Sequence, residues 1–333
     1  MARDAGLRTG APEALWKEDD VLDGAKVRAM VVIFRTTGCW WSRKAGCLMC
    51  GYNQVSDSSI TAQDLHLQLQ SALRRYEGES LVKIYTSGSF LDEREIPPEV
   101  REGIFEAFAA SKRILFESRP EFVTDETLGA LPGGRAQVAL GLESANDEVL
   151  ARSVRKGFKV ADYERAARCL NANGVPLRTY LLLKPPYLTE GQAMRDTIRS
   201  IRFAAPFSES ISINPLNVQR DTVVESLFRR GDFRPPWLWS LIEVLKAGRG
   251  LTDIRVFASP SGGGTPRGVH NCGICDAPLL KAVERHSFSQ EVKEFEGLEC
   301  GCRARWKALL EVQDAMRTAV DIDRYLVDEL PLD

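Results

Sequence analysis

The chain of 333 residues is long enough for one barrel-sized domain with an appendage, or for two ordinary domains. Its 44% hydrophobic and 27% charged residues exclude a disordered protein, and no apolar run approaches the ~20 residues that span a bilayer. The N-terminus lacks the apolar core of a signal sequence, so the sequence predicts a cytoplasmic protein without membrane contact. The net charge of -2 excludes a global attraction for nucleic acid, so RNA binding would depend on a local basic face or a partner protein.

From about residue 27, β-rich runs alternate with amphipathic helical segments. The predicted strands are 27–34, 80–87, 112–118, 136–142, 176–183 and 209–215. The predicted helices between them include 61–76, 97–110, 160–174 and 189–205. This alternation predicts an α/β fold with parallel strands, either a partial (β/α)6 TIM-like barrel or a doubly wound open sheet. The unusual residues lie on loops after the strands, which favours the barrel.

The C-terminal part of the chain differs from the rest in composition. Residues 259–271 are rich in Gly, Pro and Ser, a cysteine-bearing stretch follows, and 304–326 have the pattern of a helix. We therefore divide the chain into an N-terminal extension (1–26), the barrel (27–258), and a C-terminal four-cysteine module with a terminal helix (259–333).

Eight cysteines in a chain without a secretion signal indicate metal binding or catalysis rather than disulfides. A C-x2-C and a C-x-C pair in the C-terminal module can surround one ion with four sulfurs. These ligands are Cys272, Cys275, Cys300 and Cys302. This closed set predicts one structural zinc, with a second iron–sulfur cluster as the alternative. His270 could replace one thiolate, although capping or substrate contact is favoured. Cys169 lies on the apolar side of a predicted helix and is expected in the protein core rather than as a metal ligand.

Cys39, Cys47 and Cys50 lie in one loop directly after the first predicted strand. Three thiolates can hold three corners of a 4Fe–4S cluster and leave the fourth iron open, where the amino and carboxylate groups of S-adenosylmethionine (SAM) can bind. The alternatives are a zinc knuckle or three cysteines buried as small apolar residues. Zinc would need a fourth ligand, and the closest histidine, His66, lies beyond the loop in a predicted helix. The position after the first strand of a βα barrel favours the iron–sulfur cluster.

The segments TTGCWW and GCLMCGY resemble the radical SAM protein of archaeosine biosynthesis, the RaSEA family. The similarity extends from about residue 27 to 305. The spacing C-x7-C-x2-C departs from the common C-x3-C-x2-C signature and resembles the enlarged loops of the Elongator catalytic subunit and its relatives. Met49 stands where the signature has an aromatic residue.

The resemblance also implies a set of SAM contacts. The loop that corresponds to the GGE motif of radical SAM enzymes, but lacks its acidic residue, contains Ser87, Gly88 and Ser89. The E-x-x-P, G-x-Q-S and downstream arginine of coproporphyrinogen dehydrogenase and Elongator-like enzymes match Glu117, Glu143 and Arg155, with Glu in place of Gln at 143. Carboxylates can accept the ribose hydroxyl protons, and a guanidinium can pair with the methionine carboxylate. The alternatives are a surface pair of Glu117 with Arg119 and a solvated helix end at Arg155 and Lys156.

For function, the resemblance implies action on tRNA whose D-loop 7-cyano-7-deazaguanine has been joined to lysine by a partner, the lysine transferase archaeosine synthase. A 5′-deoxyadenosyl radical would take hydrogen from the lysine, and C–N cleavage would leave archaeosine. A reductant protein would supply the electron. The alternatives are an Elongator-like or other tRNA-modifying radical SAM enzyme with a different outcome, and a zinc-only nucleic-acid-binding protein.

Substrate contacts are expected on the late strands and the loops that follow them. The candidates are Arg178, Tyr180, Lys184 and the segment 214–220. The alternative for each is barrel filling or ordinary loop polarity.

Overall fold

The computed structural model describes residues 10–132 and 134–314, in which eight strands form one sheet in the order β1-β2-β3-β4-β5-β6-β7-β8. The strands are β1 (Ala14–Leu22), β2 (Ala25–Ile33), β3 (Leu81–Tyr85), β4 (Arg113–Ser118), β5 (Ala136–Glu143), β6 (Leu177–Leu183), β7 (Ser210–Pro215) and β8 (Arg255–Ala258). Strands β2 to β5 pair in parallel, as do β7 and β8, whereas β1 pairs antiparallel with β2. The mixed α/β, half-barrel sheet expected from the sequence is thus confirmed.

Helices connect the strands. They are α1 (Trp40–Lys44), α2 (Ala62–Leu73), α3 (Pro98–Ala107), α4 (Asp125–Gly129), α5 (Val160–Ala172), α6 (Glu190–Ala204), α7 (Val223–Arg230), α8 (Leu238–Leu251), α9 (Asp276–Ser289) and α10 (Cys302–Asp314), with a π-helical turn at Val149–Val154. Side chains cap the N-termini of several helices, because the first backbone N–H groups of a helix need hydrogen-bond acceptors. Thr61 and Thr189 each complete a capping box, at the starts of α2 and α6.

Six strands coincide with predicted ones to within a few residues, but β1 and β8 were not predicted. β1 mixes charged and apolar residues, so its period-2 pattern is weak. A signal for it does exist in the turn Asp23-Gly24, where both residues have positive φ (51° and 76°), as a two-residue hairpin turn requires. β8 has only four residues, too few to show a periodicity.

The described residues divide into two compact units. The first contains residues up to 45 with 52–141 and 162–178; the second contains 46–51, 142–161 and the chain from 179 onward. In the first unit, the rings of Phe90 and Phe116 stack with centroids 4.3 Å apart, and Phe105 meets both edge-on at 6.3 Å. These fully buried rings bring β4 and α3 together beneath the loop that follows β3.

The core of the second unit contains the π-helical turn, β6 and α7. Its buried members include Val154, Leu182 and Val224, and the partly buried Met49 packs against them. Met49, which stands where the common signature has an aromatic residue, therefore anchors the loop between Cys47 and Cys50 to this core.

Arg178, a candidate for substrate contact, is an interior residue with a carboxylate partner. It forms an ion pair of 3.2 Å with Asp20, which also accepts Lys83 at 2.6 Å. All three side chains are buried. A buried carboxylate needs such partners, because an unpaired charge in the interior is costly.

The described part of the C-terminal module contains α9 and α10, and the loop 259–271 has neither helix nor strand. α10 confirms the beginning of the predicted terminal helix, whose remainder, 315–326, lies outside the described residues. In the described part of the chain, we find no helix with the length and apolar character needed to cross a membrane. The three-part domain division stays a prediction.

Candidate metal centre and cofactor site

Cys39, in the first unit, stands between a tight turn and helix α1. Its carbonyl accepts the N–H of Ser42 at 3.1 Å and the hydroxyl at 2.7 Å, which fixes the start of the helix. Gly38 has a φ of +84°, and a Cβ there would collide with Ser56 Oγ. Only glycine fits this position without a clash, so the turn before Cys39 requires glycine at residue 38.

The predicted loop of Ser87, Gly88 and Ser89 lies against the Cys39 backbone. A Cβ added to Gly88 would lie 2.7 Å from Cys39 Cα, closer than real Cβ contacts. Ser89 Oγ accepts the N–H of Arg119 at 3.0 Å, which joins the loop to the end of β4. The structure thus brings together the first cysteine and the loop expected to hold SAM.

Arg119 is buried beside the two tryptophans that follow Cys39. Its guanidinium lies 5.7 Å from the ring centroid of Trp40 and 5.9 Å from that of Trp41. Glu121 Oε1 accepts Arg119 Nε at 2.6 Å and Trp40 Nε1 at 2.9 Å. Arg119 therefore binds Glu121 and stabilises the cysteine loop, the loop that contains Cys39, Cys47 and Cys50. The sequence analysis did not predict this role, although the two adjacent tryptophans were a signal for it.

Cys47 and Cys50 lie in the second unit, in a turn where Cys50 N–H donates to the Cys47 carbonyl at 3.3 Å. Gly51 N–H donates to Gln219 Oε1 at 2.9 Å, and a Cβ on Gly51 would clash with that side chain. Gln219 belongs to the candidate substrate segment 214–220, but its observed contact is with the cysteine loop. All three cysteines of the loop are half-buried, unlike core residues.

Glu143 and Arg155, in the second unit, both have left-handed backbones, with φ of 66° and 57°. Such conformations cost energy in residues other than glycine and concentrate at functional sites. Glu143 Oε1 pairs with Lys156 Nζ at 2.7 Å, and Arg155 Nε donates to the Gly46 carbonyl at 2.8 Å, next to Cys47. Lys184 is likewise left-handed (φ 63°) and forms a buried ion pair of 2.6 Å with Glu190.

The loop after β5 is held by a buried carboxyl group. Ser144, next to Glu143, donates to Asp196 Oδ1 at 2.9 Å. Burial raises the pKa of Asp196 from 3.8 to about 7, while the hydrogen bond from Ser144 opposes the shift. Between those values the folded protein retains a proton that the unfolded chain has released, so this group lowers stability as pH rises from about 4 to about 7.

Asp196→Asn should remove this pH dependence, because the amide stays neutral. We expect the free energy of unfolding of the variant, relative to the unchanged protein, to rise by on the order of 2 kcal/mol between about pH 5 and about pH 8. Urea denaturation at both pH values measures it. The exposed Asp253→Asn is the matched control. A relative stability of Asp196→Asn that is equal at both pH values would contradict the assignment.

The four cysteines of the C-terminal module converge as predicted. Their sulfurs all lie within 4.8 Å of one another, with separations of 3.8 Å (Cys272 to Cys275), 3.7 Å (Cys272 to Cys300) and 3.6 Å (Cys275 to Cys302). Across residues 10–132 and 134–314, no other group of three or more histidine, cysteine or carboxylate donors is this compact. A tetrahedral ion with bonds of about 2.3 Å to sulfur has sulfur–sulfur edges of about 3.8 Å, which fits this set.

Two N–H groups approach these sulfurs. Asn271 Nδ2 lies 3.4 Å from Cys275 Sγ, and Trp239 Nε1 lies 3.3 Å from Cys302 Sγ. Burial raises the pKa of Cys302 to about 12, whereas backbone N–H groups lower the pKa of Cys272 to about 6. A bound cation would have to supply the charge that keeps the buried thiols ionised.

Two further sequence candidates lie outside this group. His270 Nδ1 bonds the Gly268 carbonyl at 2.7 Å, consistent with a capping role. Cys169, expected in the core, is only half-buried, and its thiol donates to Asp125 Oδ1 at 3.4 Å. The expectation was wrong because α5 places this position at the edge of its apolar side.

No protein-family model matches the chain. Among solved structures, the archaeal Methanocaldococcus infernus Elp3 is similar, with a TM-score of 0.50 and 20% identity, covering 71% of this chain and 60% of that chain. A radical SAM methyltransferase from Sphaerobacter thermophilus has a TM-score of 0.52 and 13% identity, covering 76% and 78%. The fold is therefore that of the radical SAM enzymes.

Relatives identify the group within this class. "Archaeosine synthase subunit beta" of Methanosarcina acetivorans is 39% identical over 317 residues, 92% of each chain. The protein of the same name from Thermococcus kodakarensis is 37% identical over 310 residues, 89% of this chain and 96% of that one. The chain belongs to the archaeosine synthase subunit beta family, which confirms the resemblance seen in the sequence.

Proposed function

We propose that the chain is a radical SAM enzyme of tRNA modification that converts the lysine adduct of 7-cyano-7-deazaguanine into archaeosine. The observation that carries this proposal is the similarity to two archaeosine synthase beta subunits over about nine-tenths of the chain. The word subunit in their names supports a partner, for which we propose the lysine transferase that makes the adduct in the D-loop. We place the enzyme in the cytoplasm, where a reductant protein supplies the electron.

We propose that Cys39, Cys47 and Cys50 hold the 4Fe–4S cluster. With SAM, this cluster would supply a 5′-deoxyadenosyl radical when bound. The half-buried thiols, the steric need for glycine at 38 and the close approach of Gly88 to Cys39 support a built site. SAM contacts are assigned to Ser87, Gly88, Ser89, Glu117, Glu143 and Arg155.

The proposed reaction removes hydrogen from the lysine carbon attached to the bridging nitrogen. Cleavage of the bond between this carbon and the nitrogen then leaves the formamidine of archaeosine and a lysine-derived imine or aldehyde. The enzyme would thus be a C–N lyase. Its own residues would orient the lysine carbon and exclude water from the radical.

We also propose one structural zinc at the four C-terminal cysteines. The three measured sulfur–sulfur separations, 3.6 to 3.8 Å, match the edges of a single tetrahedral ion. A 4Fe–4S cluster attaches each thiolate to a different iron, so its four sulfurs would be farther apart. Four protein ligands close the coordination sphere, which suits a structural role.

The reaction is tested by anaerobic incubation with SAM, reductant and tRNA that carries a lysine adduct deuterated at the carbon next to the bridging nitrogen. We expect archaeosine and 5′-deoxyadenosine together, with deuterium in the deoxyadenosine, because the primary radical takes that hydrogen directly. Unmodified tRNA is the control and should give little product, because it lacks the carbon.

Archaeosine formed without label in deoxyadenosine would contradict the hydrogen abstraction. If no archaeosine formed even with the transferase present, an Elongator-like reaction would become the leading interpretation.

A further inference from the structure

Glu95 is a buried carboxylate between two loops of the first unit. It follows β3 by ten residues, and its side chain contacts Ser89 in the loop after that strand. Glu95 Oε1 accepts the hydroxyl of Thr36 at 2.6 Å, and Oε2 accepts the N–H of Ser89 at 2.5 Å. The residue is only 2% exposed, so both oxygens are committed to the protein.

Both hydrogen-bond partners belong to loops of the proposed cofactor site. Thr36 Oγ also accepts the N–H of Gly38 at 3.1 Å, the residue before Cys39. On the other side, a Cβ on Gly88 would collide with Glu95 Oε2 and lie 2.7 Å from Cys39 Cα. The carboxylate therefore lies where the loop after β3 meets the backbone of the cysteine loop.

Placing a carboxylate there is costly. Among the described residues Glu95 forms no ion pair, and its stabilisation comes from hydrogen-bond donors. Burial raises the pKa of Glu95, because desolvation outweighs the hydrogen bonds that the carboxyl group accepts. A glutamate at such a position lowers the stability of the folded protein, and such destabilising residues are typical of functional sites.

We propose that Glu95 is a positioning residue that supplies, from six residues farther along the chain, the carboxylate missing from the Ser87, Gly88 and Ser89 loop. By binding Ser89 and Thr36 together, it fixes this loop relative to Cys39, so that the loop backbone can meet the amino group of SAM. The inference rests on the proposed function only in that SAM binds here. It does not depend on which tRNA is modified.

The test uses cleavage of SAM to 5′-deoxyadenosine by the reduced holoenzyme without tRNA. We expect Glu95→Ala to raise KM for SAM about tenfold, the value of about one hydrogen bond, while kcat changes less than about threefold. Iron content should be retained. SAM changes the electron paramagnetic resonance spectrum of the reduced cluster, and in Glu95→Ala this change should require a higher SAM concentration. Glu95→Gln can still accept from Ser89 and donate to Thr36, so its KM should stay within about threefold.

Glu93→Gln is the matched control, because this nearby glutamate has a side chain that is 66% exposed and should leave KM unchanged. An unchanged KM for SAM in Glu95→Ala would overturn the inference, as would equal defects in Glu95→Gln and Glu95→Ala. If Glu95→Ala fails to fold, Thr36→Val decides, since it removes the hydrogen bond from Thr36 to Glu95 and leaves the one from Ser89. A raised KM for SAM in Thr36→Val supports the inference, and an unchanged KM overturns it. Failure of archaeosine formation would leave these SAM measurements interpretable.

Discussion

Alanine in place of Cys39, Cys47 or Cys50 should reduce 5′-deoxyadenosine formation by more than ~100-fold, because each thiolate is one of only three anchors of the proposed cluster. The iron–sulfur absorption of the anaerobically purified variants should also disappear. Iron, sulfide and deoxyadenosine are measured on the same samples. The loss should be similar for all three variants, since no neighbouring cysteine can replace the missing ligand.

The matched control is Cys169→Ala. Cys169 is also half-buried and lies in a helix with Asp125 as its partner, so its removal should leave iron content and SAM cleavage intact. Zinc at the C-terminal site should persist in all four variants, which would show that the module still folds. Full deoxyadenosine production by Cys39→Ala, Cys47→Ala or Cys50→Ala would refute the assignment.

The second large effect is expected at the C-terminal cysteines. Cys272→Ser should lower zinc from about one ion per chain to a small fraction and destabilise the module by about 3 kcal/mol or more. Cys272 approaches two other sulfurs, at 3.8 and 3.7 Å, so its loss opens the coordination sphere. Metal analysis and limited proteolysis measure the two effects. The proposed catalytic cluster should remain, because its three proposed ligands are separate residues.

His270→Ala serves as the control. Its ring bonds the Gly268 carbonyl, so zinc should be retained. Loss of zinc in His270→Ala would instead support histidine as a ligand. About eight irons and no zinc in the unchanged protein would establish a second iron–sulfur cluster.

The sequence by itself determined the features that depend on local patterns. Buried strands β2 to β7 are short runs of apolar residues between helical segments, so their positions could be predicted. The close spacing of Cys272 with Cys275, and of Cys300 with Cys302, indicated a closed metal site because a short turn places two thiolates on one ion. The segments around Cys39 and Cys50 were distinctive enough to indicate the family.

Only the tertiary structure showed which side chains support these loops. Glu95 contacts Thr36 across 59 residues of sequence, and Gln219 contacts Gly51 across 168. Neither contact leaves a local signal, because a glutamate or glutamine in a loop is usually solvated and its burial depends on how distant segments pack. Backbone strain at Glu143 and Arg155 is likewise a property of the folded chain. The local sequence therefore determined where the candidate metal ligands stand, whereas long-range packing decided how their loops are held.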